Sequence, residues 1–334
     1  MGLPVAILGA GSFGTCLAML CSRNGEVRLW ARNPEVVDSI ERGRTNPRHL
    51  SDLKLAQNVH ATSDLREALQ GAELVILSVP SHSLRSVLES ARPFIEPTAI
   101  ILSTVKGIEF ETGRLMHEVI EEVLPAQHRP RIASLSGPSF AREIAEKKPT
   151  VVTVSCREIA YAISVQTTLS CPWFRCYSTD DLIGVEVGGA LKNVIAIAVG
   201  MSDGMELGTN ARAALMTRGL AEISRLAIAL GGRPETLGGL SGMGDLVLTC
   251  TGDLSRNRRV GLGLGQGLIL ETIVEEIGEV AEGVRTTRAA CRLAARMGVE
   301  LPIAECVRQV LDGELSPKDA GLALMTRQLG PETT

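Results

Sequence analysis

The chain has 334 residues, 45% hydrophobic and 22% charged, with a formal net charge of −4. That is ordinary globular composition in a chain too long for one simple core, so two domains are expected. No basic tract or aromatic-interleaved basic face appears, which excludes nucleic acid as a partner, and no apolar run of about 18 residues is free of polar interruption, so no membrane span is expected.

Val5-Ala6-Ile7-Leu8 is a short apolar run that leads into Gly9-Ala10-Gly11-Ser12-Phe13-Gly14. A helical pattern follows through Leu17, Leu20 and Cys21, stopped by Asn24-Gly25, and Val27-Arg28-Leu29-Trp30 alternates like a second strand. Strand, GxGxxG, helix and strand within about 30 residues place a pyrophosphate on a helix N-terminus, with Gly9, Gly11 and Gly14 as the fingerprint. The end of the second strand reads Trp30-Ala31-Arg32-Asn33-Pro34, with no acid before Glu35. Arg32 there favours a 2′-phosphate and hence NADP, although an arginine also tolerates NAD.

Alternation continues. Leu74–Val79, Ala99–Thr104, Ile132–Ser136 and Val151–Val154 read as buried strands, with helical stretches at Leu115 to Val123 and Glu158 to Leu169 between them. Ser81 or Ser83 is expected to cap the helix after the first of these. The pattern predicts an α/β N-terminal Rossmann domain, a doubly wound and mostly parallel sheet, over residues 1–181. From Leu182 the texture becomes almost wholly helical, so 182–334 is expected to be an all-α C-terminal domain that binds substrate at the seam.

Gly188-Gly189-Ala190-Leu191-Lys192-Asn193 places one lysine in an apolar, small-residue helix with no charged neighbour three or four residues away. Such a lysine either snorkels out or is buried with a lowered pKa, which makes it a usable acid or base. Only six lysines occur, and Lys106 and Lys192 are the two in Gly-flanked apolar settings. All five histidines precede residue 130, so no histidine base comes from the helical domain, and His117 and His128 read as surface groups. Asp245 reads either as a helix cap or as a carboxylate held against Lys192 or a substrate hydroxyl. Ser255-Arg256-Asn257-Arg258-Arg259 reads as a phosphate site made by a capped helix N-terminus and guanidinium groups. Glu282, beside Gly283, is either a solvated acid or a carboxylate that reaches the cofactor across the seam. Eight cysteines without a CxxC pair give no zinc or redox dithiol, and no metal is expected. Scattered thiols and an N-terminus without signal-peptide zones point to the cytoplasm.

Taken together, Gly9–Thr15, Ser103–Glu109, Leu135–Ala141, Gly188–Asn193, Gly244–Thr251, Ser255–Arg258 and Val280–Gly283 resemble the bacterial-type NAD(P)-dependent glycerol-3-phosphate dehydrogenase family, in order over nearly the whole chain. The resemblance implies reversible reduction of dihydroxyacetone phosphate to sn-glycerol 3-phosphate, a phospholipid precursor. It implies that Lys192 is the proton acceptor in the oxidising direction. It implies a substrate site of Lys106, Gly137, Ser139, Lys192, Asp245, Ser255, Arg256 and Asn257. Ser12, Phe13, Arg32, His49, Lys106, Ala141, Arg256, Val280 and Glu282 would contact the cofactor. It leaves a homodimer open. Two other readings compete: a related two-domain 3-hydroxy acid dehydrogenase, which needs a carboxylate clamp instead of a phosphate site, and a non-catalytic dinucleotide sensor.

Overall fold

The computed structural model describes residues 3–278 and 281–332. The first half alternates: β1 (Val5–Leu8), α1 (Ser12–Cys21), β2 (Val27–Trp30), α2 (Pro34–Gly43), β3 (Val59–Thr62), α3 (Leu65–Leu69), β4 (Leu74–Leu77), α4 (Leu84–Ala91) and β5 (Ile100–Ser103). It continues with α5 (Met116–Val123), β6 (Ile132–Ser136), α6 (Ala141–Ala145), β7 (Thr150–Cys156), α7 (Ile159–Leu169) and β8 (Phe174–Thr179). The strands form one sheet in the order β3-β2-β1-β4-β5-β6-β7-β8. It is parallel from β3 to β6, β7 turns antiparallel to β6, and β8 runs parallel to β7. The Rossmann expectation holds. Strand order reverses between β1 and β4, which opens a crevice beyond their carboxyl ends.

Two strands are additions to the sequence reading. β3 is a four-residue piece whose His60 faces out, and it exists through its pairing with β2. β8 is an edge strand with alternating buried and exposed residues and only two aromatic side chains to mark it. Neither Ser81 nor Ser83 caps α4 with its side chain; Ser81 starts a short 3₁₀ turn and has another partner, described below. His117 and His128 are not surface groups but are buried, at 3% and 2% exposure.

The second half is helical: α8 (Leu182–Gly204), α9 (Gly208–Ala229), α10 (Pro234–Gly238), α11 (Asp245–Thr251), α12 (Arg256–Gly265), α13 (Leu270–Ile277), α14 (Glu282–Met297), α15 (Pro302–Leu311) and α16 (Pro317–Met325). Asp181 caps α8 by accepting Gly184 N–H at 2.8 Å and ties it to the α10 approach through Arg233 N–H. α8 is long and apolar enough to cross a membrane, but 94% of its most apolar window is buried inside the protein. It is the central helix of the second core, surrounded by α9, α11, α12 and α14.

α12 lies on α8 at backbone distance. A Cβ on Gly200 would sit 2.2 Å from Arg258 O, and one on Gly261 would sit 2.0 Å from Ile197 O. Glycine is therefore required at this crossing. Ile108 and Leu115, from the segment after β5, insert into the same core and join the two domains through apolar contact.

Glu222 of α9 is buried, and its carboxylate accepts Ile303 N–H at 2.6 Å and Ala304 N–H at 3.2 Å in the first turn of α15. Burial pushes its pKa up to about 7, against those two bonds. A carboxyl with a folded pKa above its unfolded value stabilises the protein while protonated, and that contribution is lost as pH rises from about 4.5 to about 7. Glu222→Gln should therefore flatten the decline of Tm across this window. Calorimetry at pH 5 and pH 8 checks it; a variant with the wild-type decline would assign the effect to another group.

Candidate functional site

The glycine turn after β1 is built for close approach. Gly9 has φ +116°, and a Cβ there would meet Ser78 O at 2.5 Å, across the β1/β4 crevice. A Cβ on Gly14 would sit 1.9 Å from Gly9 O, so α1 packs directly on the turn. A Cβ on Gly11 would meet nothing within 4 Å, so the space above the α1 N-terminus is open. Gly11 caps α1 without a side chain, and no acidic residue occupies the first turn. An uncapped helix N-terminus facing open space fits a pyrophosphate. Ser12 Oγ lies 3.1 Å from His49 Nδ1 at this end, Phe13 is half-buried against the sheet core, and Arg32 is exposed just past β2. Ala141 opens α6, which packs on α1.

Beyond the carboxyl ends of β5 and β6 lies a compact charged cluster. Lys192 of α8 is 7% exposed and donates to Asp245 Oδ1 at 2.5 Å and to Thr249 Oγ1 at 2.8 Å. Lys106, from the loop after β5, donates to Asp245 Oδ2 at 2.6 Å and to Gly137 O at 3.3 Å. Ser136 Oγ, at the end of β6, lies 3.3 Å from Asp245 Oδ2. One carboxylate thus bridges two ammonium groups, one from each domain. Asp245 does not cap its helix: Gly244 is the N-cap of α11, and Asp245 is the first helical residue.

Burial brings the Lys192 pKa down to about 8, with Lys106 adding to the shift and Asp245 opposing it. Burial alone would raise Asp245; the two ammonium groups outweigh it and hold that carboxyl below its usual range. Lys192 therefore does not snorkel. It is a buried lysine close to neutrality, with its charge partner on another helix.

Gly137 takes φ +138°, and its carbonyl accepts both Lys106 Nζ and Ser139 Oγ (2.7 Å), which orients the turn after β6 toward the seam. Ser255 caps α12 and accepts Arg258 N–H at 3.2 Å, while Arg256 is exposed in the first turn. Asn257 is buried and joins three helices: it donates to Asn193 Oδ1 at 2.9 Å, next to Lys192, and accepts Gly283 N–H at 2.9 Å. Arg258 is not available to bind a phosphate, since its guanidinium is held by Asp203 and Asp253. Glu282 begins α14 and accepts Ser81 N–H at 3.0 Å and Ser81 O–H at 2.5 Å, a clasp across the seam. Val280 lies outside the described residues.

The structure thus gathers Lys106, Gly137, Ser139, Lys192 and Asp245 into one cluster, with Asn257 joined to it through Asn193. Gly9, Gly11, Ser12, Phe13, Gly14, His49 and Ala141 lie around the α1 N-terminus. Sequence reasoning missed Thr249 and Ser136. Thr249 stands four residues after Asp245 on α11, so helical spacing was the available signal.

Two family profiles match. The N-terminal profile of NAD-dependent glycerol-3-phosphate dehydrogenase covers residues 4–162, and its C-terminal profile covers residues 181–321. The chain belongs to this family. Among its relatives, glycerol-3-phosphate dehydrogenase (NAD(P)+) of Anaeromyxobacter dehalogenans is 50% identical over 331 residues, 99% of this chain and 100% of that one. The Myxococcus xanthus enzyme of the same name is 50% identical over 324 residues, 97% of each. The crystal structure of glycerol-3-phosphate dehydrogenase from Coxiella burnetii superposes with a TM-score of 0.92 at 40% identity, over 98% of this chain and 99% of that one. A ketopantoate reductase from Ralstonia eutropha, at 16% identity and TM-score 0.61 over 96% of this chain and 100% of that one, shares the fold.

Removing the Asp245 charge leaves the buried Lys192 ammonium and the half-buried Lys106 ammonium facing a neutral amide. Asp245→Asn should lower stability at pH 7 by about 3–5 kcal/mol, the scale for breaking a buried ion pair, with partial recovery above the Lys192 pKa. Denaturant unfolding at pH 7 and pH 9.5 measures this; equal midpoints for variant and wild type at pH 7 would mean that the charges are compensated elsewhere.

Proposed function

We propose that this enzyme reversibly reduces dihydroxyacetone phosphate to sn-glycerol 3-phosphate with NAD(P)H, Lys192 serving as proton donor to the carbonyl oxygen. The observation that carries the proposal is the Lys192–Asp245–Lys106 cluster beyond the ends of β5 and β6. The open glycine turn over the α1 N-terminus supports NAD(P) binding there, and bound NAD(P)H supplies the hydride.

The residues divide the remaining work. A ketone accepting a hydride develops negative charge on oxygen, and the Lys192 ammonium gives up a proton to that oxygen while Lys106 adds positive field. Asp245 holds both Nζ atoms in place, and Thr249 fixes a second direction of the Lys192 head group, which leaves its third N–H for the substrate oxygen. In the oxidising direction, neutral Lys192 takes the hydroxyl proton. Ser255, Arg256 and the first-turn amides of α12 anchor the substrate phosphate, which orients the carbonyl through remote binding. Gly137 and Ser139 line the other wall. Residues 1–181 and 182–334 act as cofactor and substrate domains, respectively. Exposed Arg32 past β2, with no acid before Glu35, supports a preference for NADPH. The eight free thiols suit a reducing compartment such as the cytoplasm.

NADPH absorbance followed with dihydroxyacetone phosphate, dihydroxyacetone and a 3-keto acid tests the reading; oxidation with the 3-keto acid alone would replace it. Lys192→Ala should lower kcat about 100-fold or more while NADPH binding persists. Because the depressed lysine loses its proton near pH 8, ketone reduction should decline above that pH and alcohol oxidation should rise. Rates flat across pH 7–9 in both directions would remove Lys192 from the proton transfer. For the cofactor, Arg32→Ala should raise KM for NADPH more than for NADH, and equal effects would end the 2′-phosphate assignment.

A further inference from the structure

Glu186 lies on α8, one turn before Gly189 and two turns before Lys192. Positions 186, 189 and 192 descend the helix in steps of three residues, each turned about 60° from the last. The stripe begins against the Rossmann domain: a Cβ on Gly189 would touch Ser136 Oγ at 2.7 Å and Lys106 Cγ at 3.7 Å. It ends at the Lys192 head group. Gly189 makes a close but non-directional contact and cannot by itself fix how far the helix is turned about its axis.

Glu186 supplies direction. It is 5% exposed, and its Oε1 and Oε2 accept His117 N–H at 3.1 Å and 3.2 Å. His117 Nδ1 lies 2.7 Å from Oε2, and the imidazole is 3% exposed. His117 is the second residue of α5, so the Glu186 carboxylate also meets the positive end of that helix. The segment between Lys106 and His117 is therefore bonded to the helical domain at both ends. Lys106 meets Asp245 at one end and His117 meets Glu186 at the other. Two directional bonds fix an orientation that one bond leaves free to rotate. Arg292 and Arg296 of α14 hold the middle of the segment through Phe110 O, Thr112 O and Gly113 O.

We propose that the His117–Glu186 pair is a positioning device for the proton-transfer lysine: it sets the rotation of α8 against the Rossmann domain and thereby the direction of the Lys192 head group. The inference rests on the assignment of Lys192 as proton donor. Neither His117 nor Glu186 touches Lys192, so the pair acts through the helix. The other charged groups that face His117 are Glu118 of its own helix and Arg157 beyond β7. Their effects on the imidazole oppose each other, and Glu186 is the partner in contact.

A positioning role predicts a kcat effect without a binding effect. His117→Leu removes the side-chain bond and should lower kcat about 10-fold, with KM for dihydroxyacetone phosphate and Kd for NADPH within about 2-fold of wild type. His117→Asn, whose amide can take the place of Nδ1–H, should restore most of the lost kcat. A His117→Leu protein with a lower Tm but wild-type kcat at 25 °C would reduce the pair to a structural tie and overturn the proposal. The same holds if KM rises as steeply as kcat falls, or if His117→Asn is no better than His117→Leu. If His117→Leu does not fold, Glu186→Met carries the test: it keeps the length of the side chain but removes both acceptor oxygens facing His117, and an unchanged kcat overturns the proposal. Lys192→Ala measured in parallel separates the two claims. Full turnover in Lys192→Ala removes the underlying assignment, whereas loss of turnover there with intact kcat in the His117 and Glu186 variants removes only this inference.

Discussion

Everything at the seam depends on one carboxylate between two ammonium groups. Asp245 lies at the start of α11, buried, with an oxygen for Lys192 and an oxygen for Lys106. Without it, the two ammonium groups would face and repel each other where Lys192 is buried in a medium that screens poorly. With it, each is held within hydrogen-bond reach of a common point, and one of them sits near neutrality. The same carboxylate is the ionic contact by which the helical domain grips the loop after β5. The placing of the Lys192 ammonium and the joining of the domains therefore draw on a single group.

The elements around it arrange access to that point. The parallel part of the sheet delivers the glycine turn of β1, Ser81 beyond β4, Lys106 beyond β5 and Gly137 beyond β6 to one edge, because every one of those strands runs in the same direction. The helical domain then closes over that edge with α8, the first turns of α12 and α14, and α11. Asn257 bonds α12 to both α8 and α14, so the candidate phosphate anchor moves with the lysine helix as one piece.

Much of this was legible in the sequence. Continuous apolar runs marked β1, β4 and β5, since strands buried on both faces have no polar alternation. The glycine spacing marked the dinucleotide turn, and the change of texture at Leu182 marked the first residue of α8. Pairings between distant residues were only partly legible. Asp245 against Lys192 stood as one reading beside a helix cap and a substrate hydroxyl, and nothing local chooses among them across 53 positions. His117 sits beside Glu118 in an amphipathic stretch and reads as surface until Glu186, 69 positions on, takes it inside. Arg258 looked equal to Arg256 until Asp203 and Asp253 were found to hold it. Ser81 looked like a helix cap because a serine before a helix usually is one; its hydroxyl instead serves Glu282. β3 and β8 escaped because short strands take their stability from a neighbour.

The glycine crossing of α8 and α12 has a consequence for how the site comes into being. α8 carries glycines at 184, 188, 189, 200 and 204 and β-branched residues at 183, 185, 187, 194, 195, 197 and 199, so it is a poor helix by intrinsic preference. It owes its form to the helices that cover it, α12 foremost. The shape of the lysine helix is thus a property of the assembled helical half: Gly200 and Gly261 let the α12 backbone lie against α8, and Lys192 takes its place from that contact and not from the helix preference of its own segment.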